Sequence, residues 1–237
     1  MVLANAEKNE FIEPIVIDNM YYIVENSTDR TVGNVASQVT FDDIKEAGRI
    51  LHDFLDLSVL NAKLDRRAKV TDVMSDVTIP AVGLLVNKKV REIFDQHNLM
   101  SHKYYPVEIE AKGDILHYEF LQIFDEKNLN EYINFEKSSF KWFSFTEEIE
   151  NSPVKLKSYK EYLDKRSTQG IFNTIAVVDL VLTNKFSKDL DVFTFSPIMG
   201  GGEFFISERL KDALEANNIS GIKYHPVTNI LFQDEVE

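Results

Sequence analysis

The chain has 237 residues, 26 of them Lys or Arg and 39 Asp or Glu, for a net charge of −13. Its 44% hydrophobic content is that of a globular protein long enough to bury a core. A field of this sign repels phosphate backbones, so it disfavours direct nucleic-acid binding and favours a basic protein partner. The absence of Cys excludes disulfides, thiolate zinc sites and cysteine nucleophiles.

The first residues, Met1 to Lys8, lack a basic start followed by a long apolar run. No apolar stretch approaches the roughly 20 residues that span a bilayer. The expectation is a cytoplasmic protein without membrane contact. Phe11 to Ile17 and Tyr21 to Glu25 are rich in Ile, Val and Tyr around Asp18-Asn19, and read as a strand pair with Pro14 at an edge. Ser27 to Gln38 reads as a loop or short strand. Thr40 opens a predicted helix, with Asp42 and Asp43 in its first turn and an apolar stripe at Ile44, Ala47, Ile50, Leu51, Phe54 and Leu55. Leu57 to Leu60 extend it, and Asn61 to Lys69 read as a charged surface connection.

Further on, Lys112-Gly113-Asp114 signals a hairpin, and Asp114 to Phe124 a strand. Lys141 to Phe145 reads as a short strand, Ser152-Pro153 as a break, Ser158 to Arg166 as a short helix, and Phe172 to Val181 as a further hydrophobic strand.

A shift of 120 residues aligns two segments without a gap. Leu84 to Val107 faces Phe204 to Val227, with identities at Asn98, Lys103, Tyr104, Pro106 and Val107: five in 24 positions, against roughly one or two by composition. One inserted residue also brings Asp72-Val73-Met74 onto Asp191-Val192-Phe193. In each copy a short strand ends at an N-capping residue, Asn87 or Ser207. An i, i+3, i+4 stripe follows, Val90, Ile93 and Phe94 or Leu210, Ala213 and Leu214. Each helix is expected to stop at a left-handed Asn, Asn98 or Asn218, with the next apolar residue packed back on Phe94 or Leu214. Pro106 and Pro226 are expected at a sheet edge or strand end. The fold class read from this is α+β: a mixed, largely antiparallel sheet with a few helices, built from two related strand-helix-strand units in one globule. The whole chain, residues 1–237, is taken as one domain. It has an N-terminal part at 11–70, unit one at about 72–109, a central β region at about 110–190 and unit two at about 191–229.

Motifs that carry chemistry are missing. The five His form no His-Glu-X-X-His pattern, and the Gly200-Gly201-Gly202 run lacks the Lys-Ser/Thr of a phosphate loop. No Gly-X-Ser-X-Gly elbow occurs. No catalytic residue, metal ligand or cofactor site is assigned.

The segment Phe204-Phe205-Ile206-Ser207-Glu208-Arg209-Leu210-Lys211-Asp212-Ala213-Leu214, followed by Gly221-Ile222-Lys223-Tyr224-His225-Pro226-Val227, resembles the C-terminal signature of immunity protein family 11. That family is related to domain of unknown function 1629 of bacterial polymorphic toxin systems. Tyr21-Tyr22 and Asp191-Val192-Phe193 also fit, while Asn87 departs from the family-like Ser yet keeps the capping role. The resemblance implies an immunity protein that binds a cognate toxin and masks its active site, with no catalysis of its own. The toxin would be a basic protein such as a nuclease. The candidate contacts are Glu147, Glu148 and Glu150 and the tail acids Asp234, Glu235 and Glu237. The alternatives are a hydrolase-type enzyme using carboxylates to reverse toxin damage, and a scaffold protein of a secretion-linked locus.

Overall fold

The computed structural model describes residues 20–41, 54, 59–76, 78–79, 81–144, 152–168, 173–196, 198–199 and 203–235. Among them run, in chain order, β1 (Tyr21–Asn26), β2 (Val39–Phe41), β3 (Leu60–Leu64), β4 (Val73–Met74), β5 (Gly83–Val86), α1 (Lys88–Phe94), β6 (His102–Ala111) and β7 (Asp114–Ile123). Next come α2 (Leu129–Tyr132), β8 (Ser139–Ser144), β9 (Pro153–Val154), α3 (Tyr159–Ser167) and β10 (Asn173–Leu182). The remainder are β11 (Val192–Phe193), β12 (Phe205–Ser207), α4 (Glu208–Ala216), β13 (Ile222–Val227) and β14 (Ile230–Phe232). They form three sheets: β2-β3-β6-β7-β5-β4, β11-β12-β1-β13 and β14-β10-β8-β9. Only the β3–β6 and β10–β14 pairs are parallel among the described strands. The fold class is therefore the expected α+β arrangement of largely antiparallel sheets with a few helices.

The two units correspond strand for strand in order and register, with one exchange of origin. In unit one β7 lies between β5 and β6, antiparallel to both; in unit two β1 lies between β12 and β13, antiparallel to both. Leu85 pairs Phe120, which pairs Tyr105; Phe205 pairs Ile23, which pairs His225. These rows coincide under the 120-residue shift, so Ile23 stands where Phe120 stands, and Tyr21 where Tyr118 stands. The middle strand comes from downstream in unit one and from the start of the chain in unit two.

Each helix begins as its residues dictate. The Asn87 side chain accepts from the Val90 N–H at 3.1 Å, and Ser207 from the Leu210 N–H at 3.2 Å. The helices bury their stripes, including Val90, Phe94, Leu210 and Leu214, and Phe94 stacks on Phe204 with centroids 6.4 Å apart. One continuous core thus takes side chains from both units and from the third sheet. Within it an aromatic cluster gathers Tyr21, Phe186, Phe193, Phe195, Phe205 and Phe232. Tyr104 and Tyr224 also correspond. Both hydroxyls are buried without a hydrogen-bond partner among the described residues, and burial holds both well above the usual phenol range.

A crossed pair of aspartates joins the units. Asp72 Oδ1 accepts from Asn87, the cap of its own unit, at 2.8 Å; its Oδ2 accepts from the Ser220 N–H and hydroxyl of the other unit at 2.9 and 2.6 Å. Asp191 Oδ1 accepts from Ser207 of its own unit at 2.6 Å, and its Oδ2 from the Asn98 N–H of the other at 2.9 Å. The backbones follow suit, Val73 N–H to Ser220 and Val192 N–H to Asn98. Gly221, at φ +97°, lets this approach happen: a Cβ there would stand 1.9 Å from the Val73 carbonyl oxygen.

The hairpin at Lys112-Gly113 is as expected. Both residues have positive φ, 53° and 97°, between the paired Ala111 and Asp114. β8, α3 and β10 also fall on their predicted segments, and Ser158 caps α3 through the Glu161 N–H.

Other expectations are corrected. Thr40 does not open a helix but sits in β2, paired with Lys63, where Val39 and Phe41 are buried and Thr40 exposed. The apolar stripe expected after it lies outside the described residues except for Phe54. Leu60 starts β3 rather than extending a helix. Asn61 to Leu64 are strand and not surface connection, since Leu60 and Ala62 alternate with exposed Asn61 and Lys63. Residues 11–17 lie outside the described residues, and β1 has its two neighbours in β12 and β13, not a hairpin partner. Of the two asparagines only Asn218 has positive φ; there Ile219 N–H bonds the Leu214 carbonyl. In unit one α1 ends at Phe94 with Asp95 as its C-cap, and Asn98 is held instead by Asp191 and the Asp189 carbonyl. Pro226 lies on the edge strand β13. Pro106 lies in an inner strand, but β3 pairs with β6 only from Val107 to Glu110, so the proline lies in a stretch of that edge left uncovered by β3. Pro153 does not break the chain; it begins the short edge strand β9.

Candidate functional site

The crossed aspartates generate a cleft. Where β12 turns into α4, the chain leaves a cavity of about 540 Å³ lined by Met20, Tyr21, Lys188, Asp189, Asp191, Ser207, Glu208, Arg209 and Asp212. Asp191 lies at its base, its side chain only 1% exposed, and receives Arg209 through Nε at 3.0 Å and Nη2 at 2.7 Å. With Ser207 and Asn98 it accepts from four donors. Burial pushes the Asp191 carboxyl up, but these hydrogen bonds and the guanidinium outweigh it and hold it below the usual carboxylate range. Asp72 is balanced the same way, burial raising it and the bonds from Ser220 and Asn87 bringing it lower. A carboxylate held like Asp191 stays ionised and is a poor proton donor at neutral pH. Its work is to position Arg209 and the α4 N-terminus.

The rim is where the cleft meets solvent. Asp189, Glu208 and Asp212 are exposed there, and Arg209 is already engaged by Asp191. Lys188 lies over the Phe232 ring at 4.2 Å and bonds Asp234 at 3.3 Å. The acids of the rim thus outnumber the cations, and each cation has an acid at its side.

Of the sequence candidates, Asp234 reaches this rim, in the 3-10 turn Gln233–Glu235 that also carries Glu235. Glu147, Glu148, Glu150 and Glu237 lie outside the described residues. Asp189, Glu208 and Asp212 were not singled out, because single acids in so acidic a chain carry no pattern. In the sequence Asp191 stands out as the partner of Asp72 in the alignment and within the family-like Asp191-Val192-Phe193, not as a site residue. Among the histidines, His225 bonds Glu25 at 2.7 Å, His97 the Ile93 carbonyl, and His102 the Met100 carbonyl. Among the described residues no three His, Asp or Glu side chains are placed to hold a metal ion, and no described helix is long and apolar enough to cross a membrane. Compared with known proteins, the chain matches no family model and no curated protein.

Proposed function

We propose that the protein is an immunity protein that binds a cognate bacterial toxin and masks its active site, without catalysis of its own. The observation that carries this reading is the acid-rimmed cleft at the start of α4, with Asp189, Glu208 and Asp212 exposed around it and Asp234 beside it. A concave, net-acidic surface on a chain of charge −13 complements a basic partner and speeds its encounter. The resemblance of residues 204–227 to immunity protein family 11 supports the same reading, and a nuclease is a toxin class whose substrate demands a basic surface.

The test is co-expression with the toxin encoded beside this protein. Growth is expected to be restored and the two proteins to co-purify. The triple variant Glu208→Gln, Asp212→Asn, Asp234→Asn, folded as judged by circular dichroism, is expected to bind at least about tenfold more weakly. If cells die although the soluble protein is present in excess, the reading is wrong.

A further inference from the structure

Beside β8 and β10, next to the turn into β14, the structure holds a second cavity, of about 300 Å³, lined by Phe143, Thr174, Ala176, Met199, Glu203 and Asn229 among others. That size is at the lower end of small-ligand pockets and admits one long side chain. Its walls are largely apolar. Glu203 Oε2 is buried there and has no hydrogen-bond partner among the described residues. The Thr194 hydroxyl donates to the Glu203 main-chain carbonyl at 2.9 Å, not to its carboxylate. A buried carboxylate oxygen left without a donor is a standing cost that native chains seldom carry without a reason. Burial raises the carboxyl to about 7, with no charged side chain among the causes.

The repeat shows that the fold does not require this glutamate. The matching position in unit one is Gly83, where a Cβ would meet the Leu121 carbonyl oxygen at 2.1 Å and Phe120 Cζ at 2.7 Å. Unit one is packed shut at this point; unit two carries an acid. The rim differs from ordinary sheet surface as well. The register of β10 slips between Val177 and Asp179, and Val178 stands 41% exposed at that bulge. Phe143, on the neighbouring strand, is also 41% exposed. Asn229 donates its amide N–H to the Val178 carbonyl at 3.2 Å, and its amide oxygen makes no hydrogen bond among the described residues.

We infer that this cavity takes an arginine side chain of the protein partner, with its guanidinium on Glu203 and Asn229 and its stem along Phe143 and Ala176. A guanidinium has five donors and no acceptor, and its planar fork matches a carboxylate. Its methylene stem suits an apolar wall, and arginine and aromatic anchors dominate interface energetics. This rests on the proposal that the protein docks a basic partner, and names the side chain by which it does so.

The test uses the full chain and a single blocked amino acid, so it does not depend on the toxin. The Glu203 side-chain carboxyl is followed by ¹³C NMR across pH, assigned with Glu203→Gln, while Nα-acetyl-arginine methylamide is added. Its midpoint is expected to fall by about one pH unit or more at saturation, ~tenfold in proton affinity. Phe143→Ala is expected to weaken the arginine probe several-fold. Blocked citrulline, the neutral isostere, is expected to leave the midpoint unmoved. If citrulline acts as arginine does, or if neither perturbs Glu203, the arginine pocket is refuted. Co-expression rescue of toxin-killed cells would stand in either case.

Discussion

Replacing Asp191 by Asn keeps the shape of the clamp and removes its charge. The native carboxylate accepts from Ser207 Oγ, Asn98 N–H and two nitrogens of Arg209 at 2.6 to 3.0 Å. An amide has one oxygen, so one pair of these donors must face an NH₂ group. Hydrogen bonds to a buried charge contribute roughly 1.5–3 kcal/mol each, and an orphaned buried donor costs roughly 1–3 kcal/mol. Arg209 is 62% exposed and regains water, so its share is small. The part-buried Asn98 and Ser207 bonds remain, for a total of about 3 kcal/mol. Urea unfolding at pH 7 should then show a midpoint lower by about 1 M, taking a slope of about 2–3 kcal/mol/M. The pH dependence has a definite sign. Because the folded carboxyl lies below its ordinary value, its contribution is complete above the unfolded value of about 4 and is lost as pH falls through the folded one. The gap between wild type and variant should therefore narrow below about pH 4. A loss under about 0.5 kcal/mol at pH 7, within the range of an ordinary surface substitution, would show the clamp to be incidental. So would a gap that stays constant into acid.

Two further outcomes follow from the repeat. Asn87→Ala and Ser207→Ala each remove an N-cap acceptor together with a donor to Asp72 or Asp191, and should cost at least about 2 kcal/mol each in chemical unfolding; a cost at only one of them would break the equivalence of the units. Gly221→Ala places a methyl against the Val73 carbonyl at a left-handed backbone position and should cost at least about 2 kcal/mol, whereas Gly113→Ala, with open space around it, should cost only the strain of its φ, about 1 kcal/mol.

The legible part of the fold was its locally encoded part. Asn87 and Ser207 cap helices because a side-chain acceptor there reaches the backbone two or three residues on, and this needs no tertiary partner. Lys112-Gly113 turns for a similarly local reason. The 120-residue shift was legible because five identities survive in it. What was not legible depended on distant partners. Asn61 to Leu64 reads as charged surface connection until β6 stands beside it. Thr40 has the chemistry of a cap, but pairing with Lys63 decides its state. Asn98 and Asn218 look equivalent, yet Asp191 reaches one and a left-handed turn suits the other. The candidate cleft was the least visible, since its acids come from three separate segments and share no spacing.

Comparing the two copies separates scaffold from surface. Positions that agree are spent on holding the units together: the caps, the buried tyrosines Tyr104 and Tyr224, the aspartates Asp72 and Asp191. Even the helix-to-sheet cations correspond, Arg91 over Tyr104 at 3.5 Å with Asp95 beside it, and Lys211 beside Glu215 and 5.1 Å from the Tyr22 ring. Positions that disagree are freed from that task. Gly83 gives way to Glu203, and the outer edge of β6, covered by β3, corresponds to the β13 edge, which has no partner among the described strands. Because β1 completes unit two from the start of the chain, the downstream strand β14 is released to pair with β10, beside the Glu203 cavity. The exchange of one strand's origin thus preserves the shared core and leaves unit two, not unit one, next to a surface the repeat does not determine.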